Sequence, residues 1–217
     1  MAKEIRMQKP PYITKDELLK ILKKNGVIID ELLNKALLQA EKTHKNAKRD
    51  DGGPYLEKHI YPVAVDIINY FKSEKPGMKI PQETIISALL HDVLEDDHDI
   101  SEEEFKKMFG KKIFDIVLPL TKPWHRQNIS QEEMFEINKV FFNNIIRSNE
   151  SSILIKLADR TSNTEGFLGF SNLDFPKYHR SIKEVELEYL PYAKKHNKYF
   201  FKRLSDVMDE LKKRSKE

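Results

Sequence analysis

Cysteine is absent from the 217-residue chain, which excludes disulfides and thiolate metal sites and leaves His, Asp and Glu as the side chains able to hold a metal. No uninterrupted apolar run approaches the ~18 residues of a membrane helix, and Met1 to Lys9 lacks the apolar core of a signal peptide. We therefore expect a soluble, cytoplasmic protein with no membrane partner. An excess of one charge is also missing. Thirty-eight Lys and Arg against 35 Asp and Glu leave a formal +3, which argues against non-specific binding to nucleic acid. No Gly-rich phosphate loop, β-hairpin signal, internal repeat or low-complexity tract occurs.

What remains is helical periodicity, in a chain 39% hydrophobic and 10% aromatic, enough for one large domain. Thr14-Lys15-Asp16-Glu17 reads as a capping box before Leu18, Leu19, Ile21 and Leu22, closed by Gly26. Asp30 caps a second helix whose stripe of Leu32, Leu33, Ala36, Leu37 and Ala40 continues to His44 and Ala47. Asp50-Asp51-Gly52-Gly53-Pro54 is a loop, and helical periodicity resumes from Tyr55 to Tyr70, with Pro62 tolerated in a first turn. Pro76 and Gly77 mark a turn, and Pro81 opens a helix expected to run to about Asp96. Ser101-Glu102-Glu103-Glu104 and Ser130-Gln131-Glu132-Glu133 are further capping boxes; Gly110 stops the first of these helices, and a short one follows from Ile113 to Leu120. Phe135, Ile137, Val140, Phe141, Ile145 and Ile146 are assigned to the core. The tail from Phe175 shows two helical patterns punctuated by Pro191. The expected fold is all-α.

Two stretches carry chemistry. In Ala88-Leu89-Leu90-His91-Asp92-Val93-Leu94-Glu95-Asp96-Asp97, the apolar residues form one stripe, and His91/Glu95 and Asp92/Asp96 stand as i, i+4 pairs on the opposite side. A neighbouring His and Asp can bind a divalent cation jointly, with the next acidic pair beside a metal-bound water, an arrangement suited to hydrolysis. Acids at a helix C-terminus also oppose the macrodipole, which favours a functional over a stabilising role. In Ile153-Leu154-Ile155-Lys156-Leu157-Ala158-Asp159-Arg160, an apolar run ends in a carboxylate that a core cannot hold unpaired. Its partner is Arg160, a distant lysine or a metal; Asn163, four residues on, faces the same way.

His59, His91-Asp92 and Asp159 give the order H…HD…D, the metal signature of HD-domain phosphohydrolases. More closely, residues 30 to 200 resemble the hydrolase domain of RelA/SpoT-type alarmone enzymes, in particular the single-domain small alarmone hydrolases. The matching words are His44 to Arg49 with Gly53-Pro54-Tyr55 and His59, Ala88 to Asp96, Phe109-Gly110, Leu120-Thr121-Lys122, Lys156 to Arg160 with Asn163, and Glu186 to Ala193. The resemblance implies a single HD-domain helical bundle with a metal site between its central helices: a helical extension over residues 1–27, then one compact domain over 28–217 with helices 175–217 packed on it. It implies one divalent ion, most often Mn²⁺, on His59, His91, Asp92 and Asp159, with Glu95 and Asp96 serving the water. Arg49, Lys156 and Asn163 are expected to contact a guanine nucleotide. The implied reaction removes the 3′-pyrophosphate of guanosine tetra- or pentaphosphate, giving GDP or GTP and pyrophosphate. Without room for a synthetase domain, the chain is expected to degrade and not synthesise; its oligomeric state is not legible.

Three positions depart from the family pattern: Asp50-Asp51 follows Arg49, His59-Ile60-Tyr61-Pro62 replaces His-Pro, and Glu165-Gly166 replaces Arg-Thr. They leave open a hydrolase of another nucleotide, such as a 3′-phosphorylated dinucleotide cofactor, or a nucleotide-binding regulator with weak catalysis.

Overall fold

A computed structural model describes residues 12–122 and 129–215; the first eleven residues of the expected 1–27 extension and the last two of the 28–217 domain lie outside them. The chain is all-α, and among the described residues the sole β-like contact is an isolated bridge between Lys48 and Pro54. The helices are α1 (Lys15–Lys24), α2 (Glu31–His44), α3 (Tyr61–Glu74), α4 (Gln82–Leu90), α5 (Val93–Asp96), α6 (Glu102–Val117), α7 (Gln131–Ile146), α8 (Glu150–Gly166), α9 (Pro176–Glu184), α10 (Leu190–His196) and α11 (Lys198–Arg214). No described helix is long and apolar enough to cross a membrane.

The starts of the helices follow their caps. Thr14, Ser101 and Ser130 each accept the amide three residues on while that residue's glutamate reaches back, and Asp30 accepts from Leu33 N. Such caps satisfy amides that have no partner within a helix. Gly110, at φ +83°, kinks α6 where the sequence placed a stop.

Helix α3 lies at the centre, packed against α4 and α8; α2 and α6 cover α4, and α11 covers α8. Ile67 and Ile68 of α3, Ile85, Ile86, Leu89 and Leu90 of α4, and Ile155, Leu157 and Ala158 of α8 fill one continuous core that also takes Leu18 and Leu22 of α1. The chain's hydrophobic side chains therefore hold α3, α4 and α8 close together, and the polar residues at their shared end are carried into one place.

Four local expectations are corrected. The central helix does not run unbroken to Asp96: α4 ends at Leu90, Asp92 sits at φ −101° and ψ −3°, and α5 begins afresh with Asp92 O accepting from Glu95 N and Asp96 N. His91 contributes to the break by turning its Nδ1 back onto Ala88 O. Pro62 sits in the first turn of α3, but the chain enters it through a π-helical turn, Leu56–Ile60, that carries His59. In the tail, Pro191 lies in the first turn of α10 and does not end a helix; α9, a π turn at Val185–Tyr189 and α10 follow one another, and Asn197 makes the break. Val140, assigned to the core, is 59% exposed, whereas Phe142 is buried against Tyr189.

Candidate metal centre

Four side chains converge where α3, α4 and α8 meet. His59 comes from the π turn, His91 from the end of α4, Asp92 from the break, and Asp159 from the middle of α8. His59, His91 and Asp159 each offer a ligand atom within 4.8 Å of the others. Asp92 Oδ2 stands 3.4 Å from His59 Nε2 and 3.2 Å from His91 Nε2, and Asp159 Oδ1 is 3.5 Å from His59 Nε2.

The outer nitrogens fix how the rings face. His59 Nδ1 contacts Ser162 Oγ at 3.0 Å, and His91 Nδ1 meets Ala88 O at 2.8 Å, so both Nε2 atoms point inward. A histidine held through its far nitrogen is the usual support for a metal ligand. His91 Nε2 is buried with no hydrogen-bond partner, and a mixed set of imidazoles and carboxylates suits a divalent Mn, Fe, Co or Zn ion. The residues fit such an ion. Burial keeps His59 neutral. Burial also opposes protonation of His91, but Asp92 beside it raises its pKa to about 9; a cation on Nε2 would take the proton's place between these charges. Burial opposes ionisation of Asp92 too, yet the two histidines hold it well below the usual carboxylate range.

Around this set runs a chain of supporting contacts. Tyr55 Oη donates to Asp92 Oδ2 at 2.7 Å, and burial followed by the Asp92 charge keeps that phenol protonated. Lys156 Nζ donates to Asp159 Oδ2 at 2.7 Å; Asn163 Nδ2 donates to Asp159 Oδ1, and Arg49 donates to Asn163 Oδ1 at 2.8 Å. The Asp159 carboxylate, the Asn163 amide and the Arg49 guanidinium thus form one line running outward. Asp159 finds its lysine three residues back on its own helix; Arg160 instead pairs with Glu184 at 2.8 Å and lies over the Tyr189 ring.

Two cavities adjoin. The smaller, 140 Å³, is walled by Asp92, Glu95, Asp96, Lys156 and Asp159; the larger, 270 Å³, by Arg49, Asp50, Asp51, Lys58, Lys177 and Arg180. Tyr55, Lys122, Arg160 and Asn163 line both. Glu95 approaches Lys122 Nζ at 3.6 Å. Burial, with Asp92 and Glu95 nearby, raises Asp96 to about 6.

The HD-domain family profile matches residues 36–184. The chain belongs to the HD-domain family. Among curated relatives, it is 31% identical over 163 residues to a Borreliella burgdorferi protein named guanosine-3′,5′-bis(diphosphate) 3′-pyrophosphohydrolase, a match spanning 74% of this chain and 22% of that protein. It is 30% identical over 189 residues to the Oryza sativa protein named probable GTP diphosphokinase RSH2, chloroplastic, spanning 84% of this chain and 24% of the relative. The chain therefore spans about a quarter of the length of the curated relatives it matches. A solved chain described as a metazoan ortholog of SpoT that hydrolyzes ppGpp superposes with a TM-score of 0.54 at 21% identity, over 86% of this chain and 95% of that one; at that identity the likeness concerns the fold.

The HD-domain geometry explains the departures read in the sequence. Asp51 pairs with Lys58 at 2.5 Å and accepts from Gly53 N, while Asp50 pairs with Lys177 of α9. The acidic loop is thus matched charge for charge. Glu165 is turned away from both cavities and pairs with Arg203 of α11 at 2.5 Å. Gly166 leaves room for Arg49, since a Cβ there would lie 2.8 Å from its Nη2. Pro62, two residues later than in the family pattern, has no N–H to give, and the π turn just before it is where the regular hydrogen-bond ladder shifts.

Sequence reasoning gave no role to Tyr55, Ser162, Lys58, Lys122 or Glu184, although Tyr55 and Lys122 stood in matched words. Glu184 accepts from Asn138 at 2.7 Å and binds both Arg160 and Arg180. Its signal was the pairing of two half-buried arginines with one acid, which no sequence spacing discloses.

Proposed function

We propose that this HD domain hydrolyses the 3′-pyrophosphate of guanosine tetra- and pentaphosphate, giving GDP or GTP and intact pyrophosphate, in the cytoplasm and with Mn²⁺ as the preferred ion. The observation that carries the reading is the inward-facing His59, His91 and Asp159 cluster, opening through shared walls into a cavity edged by Lys48, Arg49, Lys122 and Arg160. A catalytic centre and a polyanion site placed end to end suit a nucleotide with phosphate at its reacting end. The relatives described above point to the same class of substrate.

His59, His91, Asp92 and Asp159 would hold the ion. When bound, it supplies charge neutralisation at the phosphoryl oxygens and a water of lowered pKa. Tyr55 keeps Asp92 aligned, and Lys156 offsets the charge of Asp159 while adding positive potential to the smaller cavity. Asp96, half-exposed and with a raised pKa, takes the proton of the attacking water; Glu95 orients it. Arg49, fixed by Asn163, faces the nucleotide, where a planar guanidinium can stack or meet phosphate. As water adds to the phosphorus attached to the ribose 3′ oxygen, that oxygen leaves and is protonated, and the pyrophosphate departs whole.

The test is a Mn²⁺-supplemented incubation with guanosine tetraphosphate, guanosine pentaphosphate and a 3′-phosphorylated dinucleotide cofactor, with products separated by ion-exchange chromatography. Equimolar GDP and pyrophosphate from the tetraphosphate are expected. Release of single phosphates from the 5′ end, or turnover of the dinucleotide alone, would overturn the substrate and leave the metal centre in place.

A further inference from the structure

His44, the last residue of α2, is 2% exposed, and neither ring nitrogen has a hydrogen-bond partner. A buried imidazole with both nitrogens unsatisfied loses solvation and regains nothing, so packing alone gives no reason for histidine there. Its ring lies 5.1 Å from that of Tyr55, the residue that holds Asp92. Its Nδ1 stands 3.6 Å from Asp96 Oδ2, slightly beyond hydrogen-bond reach.

The same end of α2 already grips the segment that carries Asp96. Asp97 is buried and accepts from Gln39 Nε2 at 2.9 Å and Thr43 Oγ1 at 3.1 Å, while its other oxygen accepts from Asp99 N at 3.1 Å. Gln39, Thr43 and His44 therefore act on consecutive residues of one short segment. The first two fix its backbone through Asp97. The third faces the Asp96 carboxylate.

We propose that His44 is a positioning residue that donates from Nδ1 to Asp96 Oδ2 and so sets the direction in which that carboxylate meets the water. A closing of less than about 1 Å brings the pair to an ordinary hydrogen-bond length. Burial lowers the basicity of His44 to about 4, so at neutral pH the ring is a neutral donor. A neutral donor orients a carboxylate while leaving its charge available, whereas a lysine or arginine in its place would suppress the carboxylate's basicity. The role of Asp96 as proton acceptor rests on the function proposed above, but the contact itself does not.

The experiment uses the full chain and two readouts. In ¹⁵N-edited NMR of the histidine rings, His44 is expected to carry its proton on Nδ1, and Asp96→Asn is expected to shift that nitrogen. A proton on Nε2, with Nδ1 insensitive to Asp96→Asn, overturns the proposal whatever the enzyme hydrolyses. If those signals are as expected but no 3′-phosphorylated nucleotide is turned over, the contact stands and the functional reading falls.

The kinetic arm compares His44→Leu, which keeps volume, with His44→Asn, whose amide nitrogen falls near Nδ1. His44→Leu is expected to lower kcat roughly tenfold or more with KM and bound Mn²⁺ unchanged, as for a displaced reacting group, and His44→Asn to recover most of the loss. A packing role reverses the order, with Asn worse than Leu. In an Asp96→Asn background, His44→Leu is expected to add no further loss; an additive loss overturns the proposal.

Discussion

Helix α8 enters two buried polar clusters six residues apart, and they are built on opposite plans. At Asp159 the carboxylate meets two imidazoles whose Nε2 atoms are turned inward, beside a cavity. At Glu165 the carboxylate meets Arg203, which also binds Asp66 of α3 at 3.3 Å, and Tyr199 donates to Asp66 at 2.9 Å. The second cluster has donors for its acids. Buried charge alone therefore does not mark a site; a cluster becomes chemical when its donors are arranged for a guest and its acids are not all closed by guanidinium groups.

Removing a ligand breaks the comparison most strongly. Asp159→Ala or Asp92→Ala is expected to abolish stoichiometric Mn²⁺ binding by elemental analysis and to lower turnover by roughly 10³-fold or more, since ion and water positioning are lost together. Unchanged Mn²⁺ affinity in either variant would contradict the ligand assignment. Glu95→Gln and Asp96→Asn should behave differently, keeping metal and nucleotide while losing turnover by roughly 10²-fold, the scale of an acid/base group. Loss of metal from these variants would merge two roles that the proposed mechanism keeps apart.

Arg203→Met tests the other side. It leaves Asp66 and Glu165 buried without their shared cation, and breaking such a pair typically costs about 3–5 kcal/mol. A large drop in melting temperature with Mn²⁺ affinity unchanged per folded molecule is expected; a selective loss of metal would show that the two clusters are one network. Arg49→Ala lies between these cases. Its contacts are to Asn163 and the larger cavity, so KM is expected to rise roughly tenfold with a smaller change in kcat, because a contact present in both ground and transition states acts on binding.

The sequence disclosed the elements better than their joints. Capping boxes at Thr14, Ser101 and Ser130 act through neighbours three residues away, so local spacing suffices to read them. The H…HD…D order likewise survives any rearrangement of the chain between its words. The i, i+4 arithmetic for His91/Glu95 and Asp92/Asp96 assumed a regular helix, and the break at Asp92 removes that assumption. The π turn that delivers His59 has no residue signature distinct from an α turn. Asp50 and Asp51 looked repulsive to a polyphosphate because Lys177 is 127 residues from the first of them and Lys58's direction was not fixed by its position. His44 stood in a matched word, but only burial without a partner gives it a task.

Glu165→Gln offers the finest probe of the difference between the clusters. Burial raises the Glu165 carboxyl from an ordinary 4.5 to about 7, with Asp66 adding to the shift and Arg203 opposing it. A raised folded-state pKa means that the folded chain holds this proton more tightly than the unfolded chain. The resulting stability is fully present below about 4.5 and is lost as pH rises through about 7. Glutamine keeps the shape and cannot ionise, so it lacks that pH dependence. The melting-temperature advantage of the parent over Glu165→Gln is therefore expected to shrink steadily from pH 4.5 to above 7, by the equivalent of roughly 3 kcal/mol at most. Metal content should stay constant in both proteins at each pH compared. A difference that instead grows with pH would mean that Arg203 holds Glu165 ionised and that its ion pair outweighs burial; this second cluster would then resemble the candidate metal centre, where Asp92 is held as a carboxylate by its cationic neighbour.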